Sequence, residues 1–119
     1  MYRQWRDRAA FYIVYIEEAH ASDLWQDALN VRDGIRIRNP FTAAERQGTA
    51  QSCVRNLGIE IPALVDGMGN PTEAAYTAWP DRLYVIDRSG RVAYKSAAGP
   101  YGFHPAEAEA VLRRIAESR

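Results

Sequence analysis

Cysteine is nearly absent from this 119-residue chain: Cys53 is the single one. An internal disulfide is therefore excluded, and so is a zinc or iron–sulfur site built from clustered thiolates. Lysine is almost missing too. Fifteen side chains are Lys or Arg, and only Lys95 is lysine. The cations are balanced by fifteen Asp and Glu, so the formal net charge is zero and no basic block invites nucleic acid. The two histidines, His20 and His104, are far apart and show no metal-ligand spacing. No apolar run approaches the roughly 20 residues that a membrane helix needs. The opening Met1-Tyr-Arg-Gln-Trp-Arg-Asp-Arg is charged and has no hydrophobic signal region. These absences predict a cytoplasmic domain with no nucleic-acid or membrane partner.

What is present is a set of short patterned segments. Residues 2–9 have the character of a helix end. Ala10–Ile16 is nearly all apolar, aromatic and β-branched, the pattern of a central strand buried on both faces. The polar run that follows offers Ser22 or Asp23 as a cap for a short helical turn, and residues 30–40 are loop-like. Thr42 and Glu45 fit a capping box that starts a helix running to about Leu57. Ala43, Ala50, Val54 and Leu57 mark its expected buried stripe, and Gly58 its stop. A short strand is expected at Pro62–Asp66, then a turn, then a short helix over 72–78 capped by Thr72. Arg82–Asp87 and Arg91–Lys95, joined by Arg88-Ser89-Gly90, predict a β-hairpin. Pro105 suits the first position of a last helix whose inner face carries Ala108, Val111, Leu112 and Ile115.

This order predicts one α/β domain: a mixed four-stranded sheet of the thioredoxin type, flanked by helices. A thioredoxin-like sheet normally begins with a strand and a helix carrying the redox residue. The first strand and most of the first helix are missing from the pattern. A bare sheet edge is expected where that strand belongs, and it could pair with a second copy to make a homodimer.

Tyr15-Ile-Glu-Glu-Ala-His-Ala-Ser-Asp23 followed by Trp25 resembles the signature of the iodothyronine deiodinases and their bacterial relatives. Ala75-Tyr-Thr-Ala-Trp-Pro-Asp-Arg-Leu-Tyr-Val-Ile86 agrees with it, as do Tyr94 and Gly99-Pro-Tyr-Gly102. The resemblance implies a thioredoxin-like oxidoreductase that removes iodide reductively from aromatic, phenolic substrates of the thyroxine type. It implies no bound cofactor and an external thiol reductant. The family's nucleophile is a selenocysteine or cysteine inside a Gly-Ser-Cys-Thr-x-Pro-Pro-Phe type segment, which has no counterpart here. Leu24 stands where the family usually has glycine, and Asn39 and Pro40 lie near a position where the animal enzymes place a histidine.

On the matching positions, the resemblance implies that His20 holds the substrate phenol or moves its proton, a task that suits an imidazole near neutral pH. The alternative is a loop histidine bonded to Ser22 or Asp23. Glu18 matches a carboxylate of the same network, against the alternative of a solvated strand-end acid. Strand alternation turns its neighbour Glu17 to solvent. Tyr15 matches a tyrosine of that network, against core packing. Arg82 matches an arginine that clamps a substrate carboxylate by its bidentate fork; the alternative is a salt bridge to Asp81 or Asp66. Pro80 lies near the place where thioredoxin-like folds carry a cis proline that exposes backbone to substrate.

Cys53 falls on the Thr42 helix, away from the family's nucleophile position, and is expected to be a small core residue. Trp79 and Trp25 are expected to pack or line a cleft, and His104 to start the last helix. Two functions are therefore expected to compete: a deiodinase-like enzyme domain whose thiol or selenol is not in this chain, and a catalytically inactive thioredoxin-like remnant that binds or supports a partner. The beginning at Met1, a helix length past the expected nucleophile, suggests the downstream part of a longer cysteine or selenocysteine enzyme.

Overall fold

A computed structural model describes residues 1–19, 32 and 38–118. The chain divides into two compact units, Met1–Phe11 with Thr77–Arg119, and Tyr12–Tyr76.

In the unit formed by Tyr12–Tyr76, strand β1 (Ile13–Tyr15) pairs in parallel with β2 (Ala63–Val65), Ile13 opposite Ala63 and Tyr15 opposite Val65. The parallel pairing follows from a crossover that contains the helix Ala43–Asn56. The Thr42 hydroxyl accepts from Glu45 N at 3.1 Å, as the capping box requires. The Glu45 carboxylate returns its bond one residue earlier than expected, taking the Phe41 N–H at 2.8 Å. At the other end Gly58 has φ +61°. Its N–H donates to Arg55 O at 3.3 Å and the Ile59 N–H to Val54 O at 3.0 Å, which is a Schellman stop.

The buried stripe of that helix differs from the expected one. Ala43 is exposed, and Leu57, a cap residue past the last full turn, is 70% exposed. The buried positions are Arg46 and Ala50, with Cys53 and Val54 half-buried beside them.

The short helix spans Pro71–Tyr76 rather than 72–78, and Thr72 does not cap it. Asp66, at the end of β2, performs that task. Its Oδ1 accepts from Thr72 N at 3.1 Å and Gly67 N at 2.9 Å, and its Oδ2 from Glu73 N at 2.9 Å. A longer-range carboxylate thus outcompetes the local hydroxyl for the orphan N–H groups of the first turn. Asn70 precedes the helix with φ +53°, a left-handed conformation that asparagine tolerates well.

In the other unit, helix α1 (Tyr2–Trp5) is the expected helix end. Strands β3 (Tyr84–Ile86) and β4 (Val92–Lys95) form the antiparallel hairpin, with an irregularity between Val85 and Ile86. Asp87 and Gly90 (φ +83°) close its turn. With α2 for Ala43–Asn56 and α3 for Pro71–Tyr76, the last helix is α4 (Pro105–Glu117), with Pro105 in its first turn and His104 at its N-cap. It packs on β3 and β4. Its Ala108 is 1% exposed, and Val111, Leu112 and Ile115 are half-buried along the expected face. Trp5 is 4% exposed and donates its Nε1–H to Glu109 Oε1 of α4 at 3.0 Å. Gly102 is buried, and a Cβ there would run into the Ala97 backbone. Glycine in the Gly99-Pro-Tyr-Gly102 block is thus a packing requirement.

Among the described residues the four strands form two two-stranded ladders, one in each unit. The consequence is visible in burial. A two-stranded ladder gives each strand one hydrogen-bonded neighbour and little cover. Val14 of β1 is 37% exposed and Tyr12 63%, so the Ala10–Ile16 run is not enclosed on both faces as its composition predicts. Leu64, Val92 and Ile86 are about half exposed. Among the described residues, no large side chain is fully buried.

Candidate functional site

The end of β1 gathers the chemistry in its unit. Tyr15 lies on the last residue of the strand, and its carbonyl accepts from Asp66 N at 2.8 Å. Its phenol oxygen is buried and has no hydrogen-bond partner among the described residues. A buried hydroxyl left unpaired is costly, so it is a group prepared to give or take a proton bond.

Glu17 and Glu18 follow, both half-buried. Glu17 therefore does not face solvent as strand alternation predicts. The chain has left the strand by then, and Glu17 Oε2 accepts from Asn70 Nδ2 at 3.1 Å. Burial pushes the Glu18 carboxyl above its ordinary value of 4.5, while the nearby charge of Arg46 pulls the other way. A carboxyl raised in this manner can hold a proton and release it, which is what a general acid needs.

Arg46 was not singled out by sequence reasoning, yet it is only 3% exposed. Its Nη1 donates to Gly67 O and Asn70 Oδ1, each at 2.8 Å, and reaches Asp66 O at 3.4 Å. Its Nε–H is buried without a partner among the described residues. The signal that could have found it is spacing: 46 lies three residues after Ala43 and four before Ala50, on the predicted inner face. Asp66 was also passed over. Desolvation would raise its carboxyl, but the hydrogen bonds from Glu73, Thr72 and Gly67 outweigh it and hold the group below the usual carboxylate range.

Cys53 is half-buried and free. Burial raises its thiol above the ordinary value, and the negative charge of Glu18 raises it further. At neutral pH it is a protonated thiol and a weak nucleophile.

His20, Ser22, Asp23, Leu24 and Trp25 lie outside the described residues. In the other unit, Arg82 donates from Nη1 to Ser96 O at 2.9 Å and from Nε to Thr77 O. These hydrogen bonds go to backbone carbonyls, not to the carboxylates of Asp81 or Asp66. Ser96 is itself 3% exposed and ties the start of β3 to the end of β4 through Leu83. Thr77 has φ +50°, which is strained for a β-branched residue. The Trp79–Pro80 and Gly99–Pro100 peptide bonds are cis. Trp79 is 43% exposed. Among the described residues, no cluster of His, Cys, Asp and Glu could hold a metal ion.

The sequence model of the iodothyronine deiodinase family matches residues 1–116. This chain belongs to that family. It is 35% identical over 109 residues to a type I iodothyronine deiodinase of Xenopus laevis, covering 89% of this chain and 40% of that protein. It is 36% identical over 107 residues to a thyroxine 5-deiodinase of Sparus aurata, covering 87% of the chain and 37% of the relative. A thyroxine 5-deiodinase of Gallus gallus is 36% identical over 101 residues, with 85% and 37% covered. The chain thus spans about two-fifths of the length of these curated relatives. Tyr15, Glu18, Arg82 and Pro80, named from the family resemblance, all lie inside the matched region.

Proposed function

We propose that this chain is a deiodinase-like oxidoreductase domain acting on iodinated phenols of the thyroxine type, with the attacking thiol or selenol supplied by a group other than Cys53. The observation that carries the reading is the half-buried Glu18 carboxyl, raised by its surroundings, in the same unit as the buried and unpartnered Tyr15 hydroxyl. Loss of iodide from an aromatic ring must be matched by delivery of a proton to the ring carbon, and this pair is suited to handle it. With the attacking thiol or selenol regenerated by external thiols, the net balance is ArI + 2 RSH → ArH + HI + RSSR. Each thiol loses a hydrogen, the carbon–iodine bond breaks, and the disulfide carries off the oxidising equivalents.

His20 is proposed to hold the phenol or move its proton, as the family resemblance implies. Arg82 is proposed to meet a substrate carboxylate with the part of its guanidinium not engaged with Thr77 and Ser96. Pro80 is proposed to shape backbone for substrate contact. The thioredoxin-like arrangement is part of the same proposal, supported by its components: a parallel β1–β2 pair across a helix, an antiparallel hairpin and a terminal helix. No described helix is long and apolar enough to cross a membrane.

A second reading, an inactive thioredoxin-like remnant that binds or supports a partner, is favoured by the suppressed Cys53 thiol. Iodide release separates the roles of the thiol. The purified chain, given dithiothreitol and thyroxine, is expected to release no iodide above the reagent blank, and Cys53→Ser should leave that unchanged. Robust release that disappears in Cys53→Ser would overturn both the assignment of the nucleophile elsewhere and the remnant reading.

A further inference from the structure

Arg46 places a full positive charge in a 3% exposed position, where an uncompensated charge is expensive. Its three hydrogen-bond anchors among the described residues are neutral: the carbonyls of Gly67 and Asp66 and the amide oxygen of Asn70. All of them fall on one Nη. The Nε–H edge has no hydrogen-bond partner among the described residues. Asn70 is the hub of the arrangement. Its Oδ1 takes the guanidinium while its Nδ2 holds Glu17, the residue next to Glu18. One side of the fork is thus fixed to the β2–α3 turn, and that turn is fixed to the segment carrying Glu18.

We propose that Arg46 is a positioning residue for Glu18: anchored by Asn70 and Gly67, it presents its Nε–H edge to the Glu18 carboxylate whenever that group has released its proton. The proposal rests on the proton-handling reading of Glu18 above. It gives the buried guanidinium its missing anion in one protonation state. In the other, the neutral carboxyl suits the half-buried site. An arginine is needed because a fork can hold its anchor with one nitrogen and offer another, which a lysine ammonium cannot do with the same geometry. Among the described residues, the other titratable groups tied to this arrangement are Cys53 of α2, whose thiol feels the Glu18 charge, Glu17, held by Asn70, and Asp66, whose carbonyl meets Arg46 and whose carboxylate oxygens are occupied by the start of α3.

The test is a pH titration of the whole 119-residue chain by heteronuclear NMR, following the Glu18 carboxyl carbon and the Arg46 Nε–H together. In the unmodified chain both signals should move with one midpoint, and in Glu18→Gln the Arg46 signal should become flat over that range. In Arg46→Gln the Glu18 midpoint should rise by about one unit, a tenfold gain in proton affinity. Arg46→Lys keeps the charge and should hold the midpoint closer to that of the unmodified chain. An Arg46 Nε–H signal that stays flat while Glu18 titrates in the unmodified chain would overturn the proposal, and this comparison needs no Arg46 variant to fold. Because no substrate is present, the outcome is separate from the functional reading. Coupled titration with no binding of iodinated phenols would sink that reading alone.

Discussion

Replacing Trp5 by alanine is expected to remove about 3–5 kcal/mol of stability, the usual cost of deleting a buried aromatic side chain. Few residues near the start of a chain carry so much. Trp5 is 4% exposed, and its indole N–H is spent on Glu109 of α4. The guanidiniums of Arg8 and Arg113 each lie 5.9 Å from the ring centroid. Arg113 also reaches Glu109 at 3.8 Å. Deleting the ring would leave a cavity at the junction of α1 and α4, together with a carboxylate stripped of its donor. Trp5→Phe keeps most of the volume and loses the N–H, so it should cost about 1 kcal/mol for the lost hydrogen bond plus a smaller packing loss. Urea denaturation followed by circular dichroism measures both. With typical domain stabilities of about 5–15 kcal/mol, Trp5→Ala should leave a visibly marginal protein. A loss below about 1 kcal/mol, as for an exposed side chain, would contradict the docking of α1 through this ring.

Asp66→Ala is expected to cost about 2–3 kcal/mol, the scale of charge-assisted hydrogen bonds combined with the loss of a helix cap. Three backbone N–H groups, of Gly67, Thr72 and Glu73, lose their acceptor at once. Alanine offers them nothing, and Asp66 is 6% exposed, so water replaces the carboxylate poorly. The effect has a pH signature. The folded-state proton affinity of Asp66 is depressed below its ordinary value of 3.8. Its contribution is therefore complete above that value and is lost as pH falls through the lower, folded-state value. Asp66→Asn should retain part of the capping through its amide oxygen while flattening the acid limb of the stability curve. Denaturation midpoints measured from pH 7 down to pH 2 give the comparison. An acid limb identical in Asp66→Asn and the unmodified chain would show that this carboxylate does not drive acid unfolding.

Features governed by neighbours in sequence were legible from sequence alone. The Thr42 hydroxyl and Glu45, the left-handed Gly58, the 88–90 turn and Pro105 at a helix start each depend on a few adjacent residues. What escaped depends on groups distant in sequence. Thr72 looks like a cap by local rules, but Asp66 arrives from six residues upstream with a charge. Leu57 looks like core by helical spacing, but it falls on the cap residue and faces outward. Arg46 looks like a surface cation, and only the turn carrying Gly67 and Asn70 makes its burial affordable. The apolar run at Ala10–Ile16 does contain a strand, yet composition reports an appetite for burial rather than the cover supplied.

The same division runs through the site. Tyr15 and Glu18 were singled out because the Tyr-Ile-Glu-Glu-Ala-His run resembles a family signature. The family match over residues 1–116 bears out the family that signature pointed to. Asn70 and Arg46 carry no such signature, since their importance lies in which groups they join. Arg82 was marked from the family resemblance, and its contacts with the Thr77 and Ser96 carbonyls, which hold backbone rather than acids, could not be read from spacing.

The most direct test of the functional account is equilibrium binding of thyroxine at neutral pH, read by titration calorimetry, with thyronine lacking iodine as the control. The account predicts weak but saturable binding by the unmodified chain, stronger for the iodinated ligand, and a loss of about tenfold in His20→Ala, equivalent to about 1.4 kcal/mol. Absence of saturable binding, or binding equal for both ligands and indifferent to His20→Ala, would contradict it.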